Sequence, residues 1–425
     1  MDIQTLSADQ LAVIDAFEAK KNIFVTGSAG SGKSYLLNFL KLKYAQFGLH
    51  VTASTGIAAV NIGGSTIHSW AAIGMANLPA QQIIENLFSK KFSKIRRRIL
   101  AAKALAIDEI SMISVEVFEL LDKVFRAVRQ QDKPMGGLQM ILFGDFLQLP
   151  PINKDTQEIN FCFDSQVWRE LELESFFLKK IFRQNDKNFL NLLDELRHGN
   201  LGATSKALLQ SSVGAVDNNL TIRPTILTTH NYKVEKINQE RLKEIVANEV
   251  EFKAQYNGDP YRIEFLKKNS LAQESLKLKV GAQVMMIKNT FQKDGIINGS
   301  LGIVKDFSPR LGNPIVEFAN QKTLTISAEQ WTIERFDEDN KEVVIEAQMD
   351  QIPLVLAWAI TVHKSQGLTL DKICCDLEHA FSAGQVYVAL SRVRKLDDLF
   401  IQTIDFNKVI TNNQAINFYL KSLKI

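Results

Sequence analysis

Apolar positions recur along the chain in two rhythms. Short unbroken runs, Ile23 to Thr26, His50 to Ala53, Leu105 to Ile107 and Leu138 to Phe143, have the length and the β-branched or aromatic content of buried strands. Between them lie stretches with helical spacing. Gln10 to Lys20 is one. A second starts at Ser34, with Leu36, Leu37 and Leu40. A third runs from Val115 to Gln130, with Val117, Leu120, Leu121, Val124 and Val128 on one face. Strands alternating with helices predict an α/β fold around a parallel sheet. Thr225 to Thr229 and Leu354 to Ile360 predict further strands, and Gln385 to Arg394 a further helix. Between residues 283 and 350 the rhythm shortens. Val284 to Ile287, Gly302 to Asp306, Ile315 to Phe318, Thr323 to Ile326 and Val343 to Ala347 are alternating runs broken by Gly, Asn, Asp and Pro. That spacing predicts a small antiparallel barrel, with Asn298-Gly299 as its first strong turn. Residues 71 to 100 are less regular and contain the densest basic run, Lys90 to Arg98. Trp70 and Trp358 read as core residues, with base stacking the alternative for Trp70.

The break between the first strand and the second helix carries chemistry. Gly27-Ser28-Ala29-Gly30-Ser31-Gly32-Lys33-Ser34 fits G-x-x-x-x-G-K-[ST] without departure. Gly27, Gly30 and Gly32 let backbone N–H groups close around phosphate oxygens, and the helix start adds its own free donors. Lys33 is placed to reach the β- and γ-phosphates of a nucleotide, and Ser34 to hold Mg²⁺. The strand at Leu105 to Ile107 delivers Asp108-Glu109. Asp108 is the candidate second Mg²⁺ group and Glu109 the group that polarises attacking water. Gln148, in Gly144-Asp145-Phe146-Leu147-Gln148-Leu149-Pro150-Pro151, follows a buried strand, where open α/β sheets bind ligands. It is a candidate γ-phosphate sensor. Gln10, upstream of the loop, is a candidate reader of the adenine edge, or else a helix-surface residue. Thr55 and Thr66 stand at helix starts in Ser54-Thr55-Gly56 and Gly64-Ser65-Thr66-Ile67-His68. Either they only cap those helices, or the helix ends also meet a nucleic-acid phosphate.

Composition narrows the classes. The chain has 425 residues, 46% hydrophobic and 23% charged, enough apolar content for more than one core. Its net charge of +3, from 50 basic and 47 acidic residues, means that a nucleic-acid partner would need a local groove. The three cysteines, Cys162, Cys374 and Cys375, make no C-x-x-C, and the six histidines have no zinc spacing. A reducing compartment and the absence of a metal cluster are expected. Ile352 to Val362 is too short to span a bilayer, and Met1 to Gln10 has no apolar signal core, so a cytoplasmic location without membrane contact is expected. A GTPase would need N-K-x-D, and in Asn153-Lys154-Asp155 the acid comes one residue early.

In order, Gln10, GSAGSGKS, STGIAA, GGSTIHSW, IDEISM, GDFLQLPP, LAWAITVHKSQGLTL and QVYVALSRVR resemble the motifs of superfamily-one, subgroup B DNA helicases. The stretch EVFELLDKVFRAVRQ resembles the signature of the Pif-one family within them. The resemblance covers nearly the whole chain. It implies two RecA-like parallel-sheet lobes, with a small irregular insertion in the first and an SH3-like β-barrel insertion in the second. The expected boundaries are 1–70 and 101–174 for the first lobe, 71–100 for its insertion as a duplex wedge, 175–290 and 351–425 for the second lobe, and 291–350 for the barrel. It further implies an ATP-dependent helicase moving 5′ to 3′ on single-stranded DNA and opening tailed or structured duplexes. A translocase that strips bound proteins without strong unwinding is the alternative. Arg183 and Arg392 are the implied arginines for the transferring phosphoryl group. Implied DNA contacts are Thr55, Gly64, Thr66, His68 and Pro151 from the first lobe, and Thr229, His363, Lys364 and Ser365 from the second. A monomer is expected in the absence of DNA.

Overall fold

A computed structural model of the chain describes residues 5–74, 76, 78–151, 159–214, 220–228, 230–337, 342–377 and 382–422. Two compact units emerge. One comprises Met1–Phe182, Thr332–Ala347 and Asn413–Ile425; the other comprises Arg183–Trp331 and Gln348–Asn412.

The first unit is built on six parallel strands: β1 (Ile23–Thr26), β2 (Leu49–Ala53), β3 (Ser65–Thr66), β4 (Ala104–Asp108), β5 (Gln139–Phe143) and β6 (Glu174–Phe177). Their order across the sheet is β3-β2-β4-β5-β1-β6. β1 and β4 are buried at every residue, as strands covered on both faces must be. The two-residue period sends Phe24, Leu105, Ile107, Met140 and Leu142 into one shared core. Helix α1 (Ala8–Glu18) starts at a capping box, in which Ser7 accepts from the Gln10 N–H and Gln10 accepts from the Ser7 N–H. Helix α2 (Lys33–Tyr44) follows the Gly-rich loop, and short helices α3 (Gly56–Asn61) and α4 (Ile67–Trp70) follow β2 and β3.

Residues 71–100 differ from the irregular insertion expected of them. They form α5 (Ala80–Phe88) and α6 (Ser93–Ala101), both packed against α7 (Val115–Arg129). Ile83, Leu87 and Ile99 are buried in the core that also holds Trp70, Phe118, Leu121 and Phe125. The basic run is therefore one side of a structural helix pair. Lys90, Lys91, Lys94 and Arg97 are exposed, while Arg96 turns back to the Leu87 carbonyl and Arg98 to that of Trp70.

The second unit holds a four-stranded parallel sheet in the order Ala359–Thr361, Thr225–Thr228, Ile373–Asp376, Leu399–Thr403. Beside it is a five-stranded antiparallel sheet: Thr323–Thr325, Pro314–Phe318, Leu301–Phe307, Gln283–Met286 and Leu354–Leu356. The single strand expected over Leu354 to Ile360 is thus two. Leu354–Leu356 closes the antiparallel sheet and Ala359–Thr361 joins the parallel one, with Trp358 buried between them. The antiparallel sheet starts at Gln283 rather than 291, because Gln283–Met286 pairs with both Leu301–Phe307 and Leu354–Leu356. Val343 to Ala347 is outside it, in the strand Glu342–Gln351 of a separate sheet, and those residues belong to the first unit.

Two expected boundaries change. Glu174–Phe177 pairs with β1, so the first unit runs on to Phe182 instead of ending at 174. The C-terminal helix Asn413–Ser422, expected in the second lobe, packs in the first. Ala415 and Tyr419 are buried in its core, and the Phe418 ring stacks on Phe163 at 4.3 Å.

Candidate nucleotide site

Three neighbouring strands, β4, β5 and β1, end at the same edge of the first unit's sheet. Parallel pairing puts their carboxyl ends side by side, so loops far apart in sequence meet there. After β1 the backbone turns through Gly27 at φ 150° and Gly32 at φ 88°. A Cβ on Gly27 would lie 2.7 Å from the Leu178 carbonyl oxygen, and one on Gly32 would lie 2.8 Å from Gln10 Nε2. Both positions require glycine. Gly30 sits between them, and its carbonyl accepts from the Phe182 N–H at 2.9 Å. The Ser31 hydroxyl is buried without a hydrogen-bond partner among the described residues. Lys33 Nζ donates to the carbonyls of Gly27 and Ser28 at 2.6 and 3.2 Å, and Ser34 is exposed on the first turn of α2. An orphaned hydroxyl and an ammonium resting on loop carbonyls fit a site for an oxyanion.

Gln10 is buried rather than on the helix surface. Its amide oxygen accepts from the Ser7 N–H at 2.9 Å and its amide nitrogen donates to the Gly32 carbonyl at 3.3 Å. It ties the start of α1 to the phosphate loop. Asp108, at the end of β4, accepts from the Glu109 N–H at 2.9 Å. Burial pushes its carboxyl up to about 6, against the opposing pull of that N–H and of the Lys33 charge. Glu109 has left-handed backbone, φ 53° and ψ 45°, an uncommon setting for a side chain of its size. Ser54, which sequence reasoning did not single out, supports it. The Ser54 hydroxyl donates to the Glu109 carbonyl at 2.8 Å, and its N–H donates to that of Asp108. Ser34 and Asp108 together offer the hydroxyl and carboxylate oxygens that suit Mg²⁺.

Gln148 follows β5 and is buried, its amide nitrogen donating to Asp145 Oδ2 at 3.2 Å. Pro151 ends the same described segment. Thr55 and Thr66 act as caps, accepting from the N–H groups of Ala58 and Ser69. Gly64 is buried beside β2, and a Cβ there would be 3.0 Å from the Val51 carbonyl oxygen. His68 is half-buried, and burial lowers its pKa.

In the second unit, Arg183, Arg392 and the turn at 363–367 form one cluster. Arg183 donates to the carbonyls of Ser391 and Gly367 at 3.0 and 3.3 Å. Arg392 is fully buried and donates to the carbonyls of Val388 and Ser365 and to the Ser391 hydroxyl. Burial, and then the Arg392 charge, press the Arg183 pKa down; arginine nevertheless keeps its proton. No carboxylate among the described residues forms an ion pair with Arg183. Ser365 differs from an exposed contact, since it is buried and its hydroxyl donates to the Val362 carbonyl at 2.8 Å. His363 and Lys364 are half-buried, and burial lowers the His363 pKa. Thr229 lies outside the described residues. Sequence reasoning did not single out Asp145 or Tyr419 either. Asp145 lay in view beside Gln148, but no local signal in the sequence ties Tyr419 to this edge.

A family described as PIF1-like helicase matches residues 5–207, and one described as DNA helicase Pif1, 2B domain, matches residues 263–307. The human ATP-dependent DNA helicase PIF1 is 39% identical over 415 residues, covering 97% of this chain and 63% of the human protein. The chain spans less than two thirds of the length of the vertebrate relatives it matches. A Bacteroides sp. Pif1 structure in complex with ADP-AlF4 matches with a TM-score of 0.86 at 32% identity, over 99% of this chain and 97% of that one. Bacteroides Pif1 in complex with ADP-AlF3 and ssDNA matches at 0.66 and 32% identity, again over 99% and 97%. With the fold, the motif order and these likenesses in agreement, the chain belongs to the PIF1-like helicase family.

Proposed function

We propose that the chain is an ATP-dependent DNA helicase that moves 5′ to 3′ along single-stranded DNA and opens tailed or structured duplexes. The observation that carries this reading is the convergence of the Gly27–Ser34 loop, Asp108-Glu109 and Gln148 on one edge of a parallel sheet. The Bacteroides relatives, described with ADP-AlF4 and with ssDNA, support it. The direction rests on family membership. Lys33 would exchange the Gly27 and Ser28 carbonyls for β- and γ-phosphate oxygens. Ser34 and Asp108 would hold Mg²⁺, which neutralises charge on the phosphates. Glu109 would polarise the attacking water and take its proton, while Gln148 would sense the γ-phosphate. Gln10 would meet the adenine edge. Arg183 and Arg392 would supply the positive charge that answers the γ-phosphate.

The DNA strand would be met by Thr55, Gly64, Thr66, His68 and Pro151, and by Thr229, His363, Lys364 and the turn containing Ser365. Arg392 and Arg183 already hold the carbonyls of Ser365 and Gly367. Groups assigned to nucleotide and to DNA thus share hydrogen bonds, which gives hydrolysis a route to the DNA grip. The helix pair α5–α6, with Lys90, Lys91 and Lys94 outward, is the proposed duplex wedge. The protein would act as a monomer when DNA is absent, in the cytoplasm. Buried free thiols at Cys162, Cys374 and Cys375 fit a reducing compartment, and no described helix is long and apolar enough to cross a membrane.

Strand displacement on matched 5′-tailed and 3′-tailed duplexes with ATP tests the reading. Displacement confined to the 5′-tailed substrate is expected. Displacement of the 3′-tailed duplex alone, or none on either, would refute it.

A further inference from the structure

The helix Asn413–Ser422 brings two aromatic residues under the candidate nucleotide site. Phe418 behaves as a core ring, stacked on Phe163 and set edge-on to Phe24 and Phe146. Tyr419 is buried beside it, but its hydroxyl is not required for packing, since a phenylalanine would fill the same space. That hydroxyl lies 2.8 Å from Thr26 Oγ1, at the last residue of β1 before the phosphate loop. It accepts the Phe146 N–H at 2.9 Å and is 3.2 Å from Asp145 Oδ1. The same carboxylate takes the Leu147 N–H on Oδ1 and the Gln148 amide on Oδ2, each at 3.2 Å. One phenol oxygen therefore joins the strand that carries the phosphate loop to the turn that aims Gln148.

We infer that Tyr419 is a positioning residue for ATP hydrolysis, acting through Asp145 to hold the Gln148 amide in place. The inference rests on the proposed ATPase. All partners are buried, so water is not at hand to replace the hydroxyl. Without it, the Phe146 N–H loses its acceptor and Asp145 Oδ1 loses a donor. The turn then has more than one way to settle, and Gln148 turns with it. Ground-state binding of ATP, which depends on the glycine loop and Lys33, should be spared.

The test is Tyr419→Phe in the full chain, assayed for steady-state ATP hydrolysis with single-stranded DNA. A fall in kcat of about fivefold to tenfold is expected, the size of one lost hydrogen bond. KM for ATP and DNA affinity should stay near the wild-type values, while Tm falls by a few degrees, because buried groups lose a hydrogen-bond partner. In a Gln148→Ala background the same substitution should change kcat less than about twofold, because two residues acting through one path do not add. Hydrogen exchange should also rise at the Phe146 and Gln148 amides. The inference is overturned if kcat is unchanged, if it falls equally in both backgrounds, or if the loss of kcat disappears when the assay is run well below the variant's Tm. A wild-type chain with no DNA-stimulated hydrolysis would instead overturn the proposed function, and this inference with it.

Discussion

At the scale of single residues, charge and burial set the expectations. The Lys33 ammonium already seeks oxygen atoms, in the carbonyls of Gly27 and Ser28. Lys33→Ala should reduce ATP hydrolysis by about 10² or more while single-stranded DNA affinity changes little. Persistent DNA-stimulated hydrolysis in that variant would overturn the loop's role. Glu109→Gln keeps the side chain's shape but removes the proton acceptor, and hydrolysis should fall by about 10² to 10⁴ with nucleotide binding retained. His50 offers a stability prediction of a different kind. Burial, and then the Arg98 charge, push its pKa down to about 4. The folded protein keeps His50 neutral, whereas the unfolded chain takes up a proton near pH 6.5. This group's contribution is therefore complete above about pH 6.5 and is lost as pH falls toward 4, by about 3 kcal/mol in all. Tm against pH in His50→Gln should be flatter than in the wild type across that interval; parallel curves would show that His50 does not set the slope.

At the scale of elements, the helix pair α5–α6 shows where pattern reading stops. Its basic run stood out in the sequence, but the apolar positions Ile83, Leu87 and Ile99 mark it as part of the core. Deleting the segment would expose the face of α7 and so could not report on a wedge. Leu87→Ala alone should cost about 2–5 kcal/mol, readable by denaturant unfolding. Changing Lys90, Lys91 and Lys94 to Glu leaves those buried positions alone. It should keep Tm and single-strand-stimulated ATP hydrolysis while impairing strand displacement. If hydrolysis and displacement decline together, the pair is not a wedge. Buried strands were the most legible elements, because Ile23–Thr26 and Ala104–Asp108 are apolar without interruption. The run from Leu354 to Ile360 looked equally continuous. It is divided because Leu354–Leu356 pairs with Gln283–Met286 and Ala359–Thr361 with Thr225–Thr228, and neither partner lies nearby in the chain.

For the molecule as a whole, the second unit's part is best tested at Arg392. Arg392→Lys keeps one positive charge but loses the planar fork that reaches Val388, Ser365 and Ser391. Hydrolysis should fall by at least about 10²-fold with nucleotide binding retained, as expected for an arginine acting on a transferring phosphoryl group. Wild-type turnover in that variant would remove Arg392 from the mechanism. The sequence by itself determined the local chemistry: the glycine loop, Lys33, Ser34, Asp108-Glu109, and the alternation of strand and helix. Each of these depends on residues adjacent in the chain, whose backbone preferences and spacing act over a few positions. Only the tertiary structure decided that β4, β5 and β1 lie side by side, that α5 and α6 belong to the core, and that Tyr419 returns to Thr26 and Asp145. Those contacts join segments up to hundreds of residues apart, and a single chain's local pattern carries no record of which distant surface will cover it.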